Sequence, residues 1–214
     1  MPNNASLEKK YIPPSDPKAR IYELFNQSLA LKQKVIDGGY LDILLPIGQM
    51  IADQITKGGK IFFCGNGGSA ADAQHLAAEL LVRLRSPVER RSIPAIALAM
   101  DTSTLTACGN DYSFDAIFAR SLSGLGRNGD VILGLTTSGK SPNVIEAFKV
   151  AREMGIKTVG FLGGATGGEP ALSFCDAAFV VPSFDTARIQ EVHITAGHAL
   201  MELVEDILIL NNYC

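Results

Sequence analysis

The apolar positions of this chain change their period part-way along. From Pro17 to about Ile36 they recur at helical spacing, at Ile21, Leu24, Phe25, Leu29 and Leu31. Asp16 followed by Pro17 predicts an N-cap and a first helical residue that needs no N–H. A second helix is predicted over 41–56, apolar around most of its circumference and stopped by Gly58-Gly59. Beyond it, short continuous apolar runs take over: KIFFC (60–64), PAIALAM (94–100), DVILGLTT (130–137), KTVGFLG (157–163) and DAAFVVP (176–182). Helical stretches are predicted between them, at about 70–84, 102–108, 113–124 and 142–154, with a last helix at about 187–210. Strands that are apolar throughout are buried on both faces, so the alternation predicts a parallel sheet covered on both sides. The expected fold is α/β, a five-stranded parallel sheet between helical layers of flavodoxin- or Rossmann-like type, with two extra N-terminal helices. Residues 1–16 read as a loose, Pro-rich arm and 17–214 as the single domain.

Composition narrows the function classes. There are 19 Lys plus Arg against 22 Asp plus Glu, a formal charge of -3, which argues against a nucleic-acid binder working by bulk charge. Cys64, Cys108, Cys175 and Cys214 form no CxxC pair and read as reduced thiols. The N-terminus has no apolar core of a signal peptide. The longest clean apolar run, IPAIALAM, is eight residues, against the roughly 20 of a membrane span. A cytoplasmic protein without membrane or nucleic-acid partners is expected.

The 21 glycines gather at the predicted strand C-termini: Gly65, Gly67 and Gly68, then Gly134 and Gly139, then Gly163, Gly164, Gly167 and Gly168. Ligands bind at that edge of an open α/β sheet, where helix N-termini present N–H groups and a positive dipole end. Two of these turns add hydroxyls, Ser69 in one and Thr136, Thr137, Ser138 and Ser141 in the other, which suits a phosphate monoester. The stretch GLTTSGKS (134–141) also matches the P-loop pattern. That match is rejected on physical grounds. Leu135, Thr136 and Thr137 continue a β-rich run, and Pro142 removes the N–H that would face the phosphates.

The three histidines are His75, His193 and His198. His75 and Glu79 stand at i, i+4 and share a helix face, as a metal-chelating or acid/base pair would, though surface His–Glu pairs are common. In RIQEVHITAGH (188–198), period allows either Gln190 or Glu191 as the facial neighbour of His198. A buried His198 satisfied by one hydrogen bond is the plainer reading.

Four segments taken together are more specific: GNGGSAADAQHLAAEL (65–80), TACGNDYSFDAIFAR (106–120), DVILGLTTSGKSPNVIEAF (130–148) and RIQEVHITAGH. They resemble the sugar isomerase (SIS) domain and, within it, the phosphoheptose isomerases, over about residues 20–210. The resemblance implies an aldose–ketose isomerase. It would take sedoheptulose 7-phosphate to D-glycero-D-manno-heptose 7-phosphate through an enediol, the first step toward nucleotide-activated heptose for lipopolysaccharide core or another surface glycan. It implies that Ser69, Thr137, Ser138 and Ser141, with Thr136, hold the phosphate, and that Asn66, Gly67, Gly68, Asn110 and Asp111 line the sugar. It implies a Zn2+ site, one per subunit, of His75, Glu79, Gln190 and His198, with Glu79 and His198 also the catalytic acid/base pair and Gln190 also touching substrate. Gln190 is thereby chosen over Glu191. No nucleotide is implied. Some members carry an Asp where this chain has Ala187, with Asp185 nearby.

A rival reading within the same family is a non-catalytic scaffold that binds a replication-initiator protein; the presence of His198 together with His75 and Glu79 speaks for the enzyme. A sugar-phosphate-sensing regulatory module would need a DNA-binding domain that the N-terminal residues do not supply. The basic stretch RLRSPVERR (83–91) reads as a solvated loop, or more sharply as a subunit contact or a phosphate-attracting surface. The two leading helices carry more apolar surface than a lone domain needs, which predicts a homo-oligomer, and the resemblance implies a homotetramer with sites at subunit interfaces.

Overall fold

The computed structural model describes residues 13–164 and 166–213. Residues 1–12 of the expected arm, and Cys214, lie outside the described residues. Five strands form one parallel sheet in the order β2-β1-β3-β4-β5. They are β1 (Ile61–Gly65), β2 (Ala95–Ala97), β3 (Val131–Thr136), β4 (Lys157–Leu162) and β5 (Ala177–Val180). The helices are α1 (Pro17–Asp37), α2 (Leu44–Thr56), α3 (Gly68–Ala78), α4 (Thr102–Asp111), α5 (Ile117–Leu125), α6 (Pro142–Glu153) and α7 (Thr186–Leu210).

Most expected elements are present, with three differences. The predicted helix at 41–56 begins as a 3-10 turn, Tyr40–Ile43. PAIALAM contributes only three strand residues, because β2 is an edge strand with β1 as its single partner. The helix expected over 70–84 ends as α-helix at Ala78 and continues as a π turn, Glu79–Arg83.

Side chains alternate across the sheet, which divides the core into two layers. Ile61, Phe63, Leu133 and Phe161 face α2, α3 and α7, whereas Phe62, Cys64 and Ile132 face α4, α5 and α6. The apolar stripe of α2, Ile47, Ile51 and Ile55, is buried as its spacing requires. No single described helix is long and apolar enough to cross a membrane; α1 and the helix after it pass together by length and composition but are bent by 70°.

The strand order places a topological switch between β1 and β3. The chain leaves β1 toward β2 on one side and pairs β3 on the other, so the loops after β1 and β3 diverge and open a crevice. Those loops are the two Gly- and hydroxyl-rich turns. Strand β3 ends at Thr136 and not at Thr137, but Leu135 and Thr136 are strand, which a P-loop nest would not allow. Asp101, the apparent Walker B acid, is the N-cap of α4 and accepts the Ser103 N–H at 3.0 Å.

His193 is a core residue. It is fully buried beside Phe161 and Phe179, its Nε2 lies 3.0 Å from the Leu162 carbonyl oxygen, and its Nδ1 has no partner. Burial lowers its pKa from 6.5 to about 4. The unfolded chain therefore takes up this proton as pH falls through 6.5 while the folded chain resists it down to about 4. Acid should cost roughly 3 kcal/mol across that window through this group alone. Denaturant midpoints at about pH 7 and about pH 4.5 should differ less in His193→Gln than in the parent chain; an equal difference would show that His193 does not govern the acid limb.

Candidate active site

Two helices on the same layer carry the candidate residues His75, Glu79 and His198. α3 starts directly after the β1 loop and holds His75 in its last turn, while α7 starts with Asp185 as its N-cap, accepting the Ala187 and Arg188 N–H groups. Asp185 is thus accounted for as a helix cap. The helices approach closely through Leu76 and Gly197: a Cβ on Gly197 would stand 2.8 Å from a Leu76 methyl. Residues one step along on each helix then meet. His75 Nε2 lies 2.7 Å from His198 Nε2, with the rings edge to face, and 3.2 Å from Glu79 Oε1. Ligand atoms of His75, Glu79 and His198 all lie within 4.8 Å of one another. Contact between the imidazoles is satisfied when one of them donates.

Gln190 and Glu191, equivalent by period, are separated by the fold. The Gln190 amide packs onto the Cα of Gly68 and interacts with Asp72. Glu191 pairs instead with Arg188 at 2.6 Å, on the side of α7 where Arg188 reaches the Leu24 carbonyl of α1. Asp72 was not singled out from the sequence. It is buried on α3, and one carboxylate oxygen has no hydrogen-bond partner among the described residues. Burial pushes its carboxyl above the ordinary carboxylate range, against the opposing pull of the Gln190 amide and of His75 and His198. A signal existed in the sequence: Asp72, His75 and Glu79 stand at i, i+3 and i+7, one helix face.

The second turn gathers its hydroxyls. Thr136 Oγ1 lies 2.9 Å from Ser141 Oγ and 3.4 Å from Ser138 Oγ, and Ser138 Oγ accepts the Lys140 N–H at 3.2 Å. Ser141 is the N-cap residue of α6, with Pro142 at N1. Thr137 is the first residue past β3, and Ser69 is buried in the first turn of α3. Gly67 precedes that helix with φ of 55°.

Asn66 does not project freely. Its side-chain amide and that of Asn143, the second residue of α6, each donate to the other at 2.8 Å, and Asn143 Oδ1 also accepts the Val144 N–H. This reciprocal pair ties the β1 loop to the start of α6, hence one Gly- and hydroxyl-rich turn to the other. Asn143→Ala leaves both polar groups of Asn66 unpaired. It should raise KM for a sugar phosphate about tenfold, lower kcat less, and cost roughly 2 kcal/mol of stability. Steady-state kinetics with a denaturant titration check this; an unchanged KM would remove the pair from substrate binding.

Asn110 and Asp111 stand apart. They are exposed at the C-terminal end of α4, Asn110 Nδ2 donates to Asp111 Oδ1 at 2.8 Å, and no hydrogen bond or ion pair among the described residues links them to either turn. Within one chain the structure unites His75, Glu79 and His198, seats Gln190 on Gly68, and does not bring Asn110 and Asp111 to them.

The model of the SIS domain matches residues 25–163. The chain belongs to the SIS-domain family. Within it, the chain falls among the phosphoheptose isomerases. The phosphoheptose isomerase of Chlorobaculum parvum is 52% identical over 168 residues, covering 78% of this chain and 79% of that protein. That of Clostridium acetobutylicum is 46% identical over 179 residues, covering 83% and 89%. Among solved structures, the phosphoheptose isomerase of Neisseria gonorrhoeae superposes with a TM-score of 0.81 at 38% identity, covering 88% of this chain and 98% of that one. The matched span of this SIS domain includes both turns and the His75–Glu79 pair; α7, with Gln190 and His198, follows it.

Proposed function

We propose that this SIS domain interconverts sedoheptulose 7-phosphate and D-glycero-D-manno-heptose 7-phosphate, as an aldose–ketose isomerase. The observation that carries the reading is the convergence of Glu79 and His198 from two helices, in a chain that also gathers hydroxyls on the turn after β3.

The reaction moves one hydrogen between C1 and C2 and one proton between their oxygens, with a cis-enediol between. Glu79, as carboxylate, takes the carbon-bound proton of the ketose from C1 and returns it to C2. His198 moves the oxygen-bound proton in the same sense, from O1 to O2, since an imidazole both donates and accepts near neutral pH. Ser69, Thr136, Thr137, Ser138 and Ser141 hold the phosphate through uncharged hydroxyl donors. Anchoring that distant end fixes C1 and C2 against the acid/base pair. Gln190, Gly67 and Gly68 line the sugar between the two ends. Asn66 supports them through Asn143, and Asn110 and Asp111 act on substrate only where a neighbouring subunit or a shift of α4 delivers them.

The donor set fits zinc. Two imidazole nitrogens and a carboxylate oxygen already converge, and the Gln190 amide, which bonds Asp72 on the same helix as His75, would complete four. When bound there, Zn2+ would supply Lewis-acid stabilisation of the developing oxyanion. The initiator-binding scaffold draws no support from the relatives, which are named phosphoheptose isomerase. Self-association is supported by an apolar stripe on α1: Tyr22, Phe25, Leu29 and Ile36 are exposed, Phe25 to 69%. A cytoplasmic homotetramer is the proposed form, with its product entering nucleotide-activated heptose synthesis.

Purified protein, stripped with a chelator and then given Zn2+, should convert sedoheptulose 7-phosphate to the heptose 7-phosphate and should lose that activity on re-chelation. Product absent from the zinc-loaded protein would overturn the isomerase reading. Light scattering at micromolar concentration should give a tetramer, and a monomer would remove the oligomer.

A further inference from the structure

Within the basic stretch 83–91, Arg83, Glu89 and Arg91 are exposed, whereas Arg85 and Arg90 turn inward. The Arg90 side chain is 1% exposed and the Glu205 side chain it meets is 2% exposed. Arg90 Nε donates to Glu205 Oε1 at 2.7 Å, and Arg85 Nε donates to Glu205 Oε2 at 2.7 Å. Arg85 also pairs with Asp206. Glu205 is thus neutralised on both oxygens, which a buried carboxylate requires.

The remaining donors of Arg90 go to backbone carbonyls, among them those of Glu79 and Leu80 in the π turn. Nη2 donates to the Glu79 carbonyl at 2.9 Å, and Nη1 donates to the carbonyls of Leu80 at 2.9 Å and Arg91 at 3.0 Å. A π turn shifts carbonyls out of the α register, and the last carbonyls of any helix lack partners within it. A planar guanidinium suits them, since it offers several donors at fixed angles and a positive charge at the helix C-terminal end. The first residue of this π turn is Glu79. Its carbonyl is held by Arg90 while its carboxylate stands 3.2 Å from His75. Glu205, the other anchor of Arg90, lies on α7 two turns beyond His198. One arginine therefore ties the backbone of Glu79 to the helix that carries His198.

We propose that Arg90 is a positioning residue for the isomerisation: through the Glu79 and Leu80 carbonyls it holds the π turn that directs the Glu79 carboxylate toward His75 and His198. This rests on the isomerase reading above. Lysine at this position keeps the charge opposite Glu205 but cannot fork to two carbonyls. In Arg90→Lys, kcat should fall 10- to 100-fold with KM within threefold, because the phosphate turn is untouched. Zinc affinity, measured by competition with a chromophoric chelator, should fall about tenfold, the scale of other outer-shell changes.

Arg85→Gln is the control. It removes an arm of the same ion-pair cluster but no bond to the Glu79 carbonyl, so kcat and zinc affinity should stay within twofold. Wild-type kcat and zinc affinity in Arg90→Lys would overturn the proposal, as would equal losses in Arg85→Gln, which would mean general loosening. Should Arg90→Lys fail to fold, Glu205→Gln decides in the same way: it keeps an acceptor for Arg90 while weakening the anchor, and unchanged kcat and zinc affinity there overturn the role. Absent turnover in the wild-type protein overturns the isomerase reading itself, whereas wild-type turnover with an unaffected Arg90→Lys overturns only the role of Arg90.

Discussion

Glu79→Gln and His198→Gln should each lower kcat by about a thousandfold, within the 10²–10⁴ range that a positioned acid or base supplies. Glutamine keeps the volume of Glu79 and a polar contact to His75, so the α3–α7 packing through Leu76 and Gly197 should survive. The loss is therefore chemical. An amide cannot take a proton from carbon, and Gln at 198 cannot shuttle one between oxygens. KM should change little, because four of the five hydroxyls proposed to hold the phosphate lie on the turn after β3. Solvent deuterium gives a second readout: the wild-type enzyme should exchange it into the carbon-bound position through the enediol, and Glu79→Gln should not. Retention of turnover within tenfold in either variant would remove that residue from the acid/base pair.

Gly139→Ala should be the most damaging single change in the phosphate turn. Gly139 has φ of 70°, a region that costs a residue with a Cβ roughly 1–2 kcal/mol. Here the added Cβ would also collide with the backbone of Gly168, and the Gly139 carbonyl accepts the Ala171 N–H at 3.0 Å, so the turn cannot simply move aside. Ser138 and Ser141 flank it and would shift with it. KM should rise at least tenfold, with a stability loss of about 2–4 kcal/mol. Gly167→Ala isolates the two causes. Gly167 has φ of 61° but nothing within 4 Å of an added Cβ. It should lose only the conformational part, about 1 kcal/mol, and keep its KM. Equal KM values for Gly139→Ala and wild type would show that this turn does not hold the phosphate.

The sheet and its helices were legible because burial on two faces and burial on one leave different periods. Ile61 to Cys64 are apolar without interruption since they face helices on both sides, and α2 shows its stripe because only one side meets the core. The π turn was not legible. It appears in sequence as more of the same amphipathic helix, and what stabilises it is an arginine whose position depends on Glu205, 115 residues further on. Likewise Asn66 reads as a loop polar residue until Asn143 is placed against it.

By itself, the sequence determined the order of strands and helices, the gathering of glycines and hydroxyls at one sheet edge, and the His75–Glu79 pair, because each depends on neighbours a few positions away on one element. Helical period could not separate Gln190 from Glu191, and the tertiary structure does. An ideal helix leaves Glu191 about 20° and Gln190 about 80° from His198 in projection, yet Gln190 is the one seated on Gly68 and Asp72 while Glu191 turns to Arg188. The reason is that the site lies between two helices and not along one. Which side chains reach it is set by where α3 packs against α7, and that contact forms only when the sheet brings both helices onto one face.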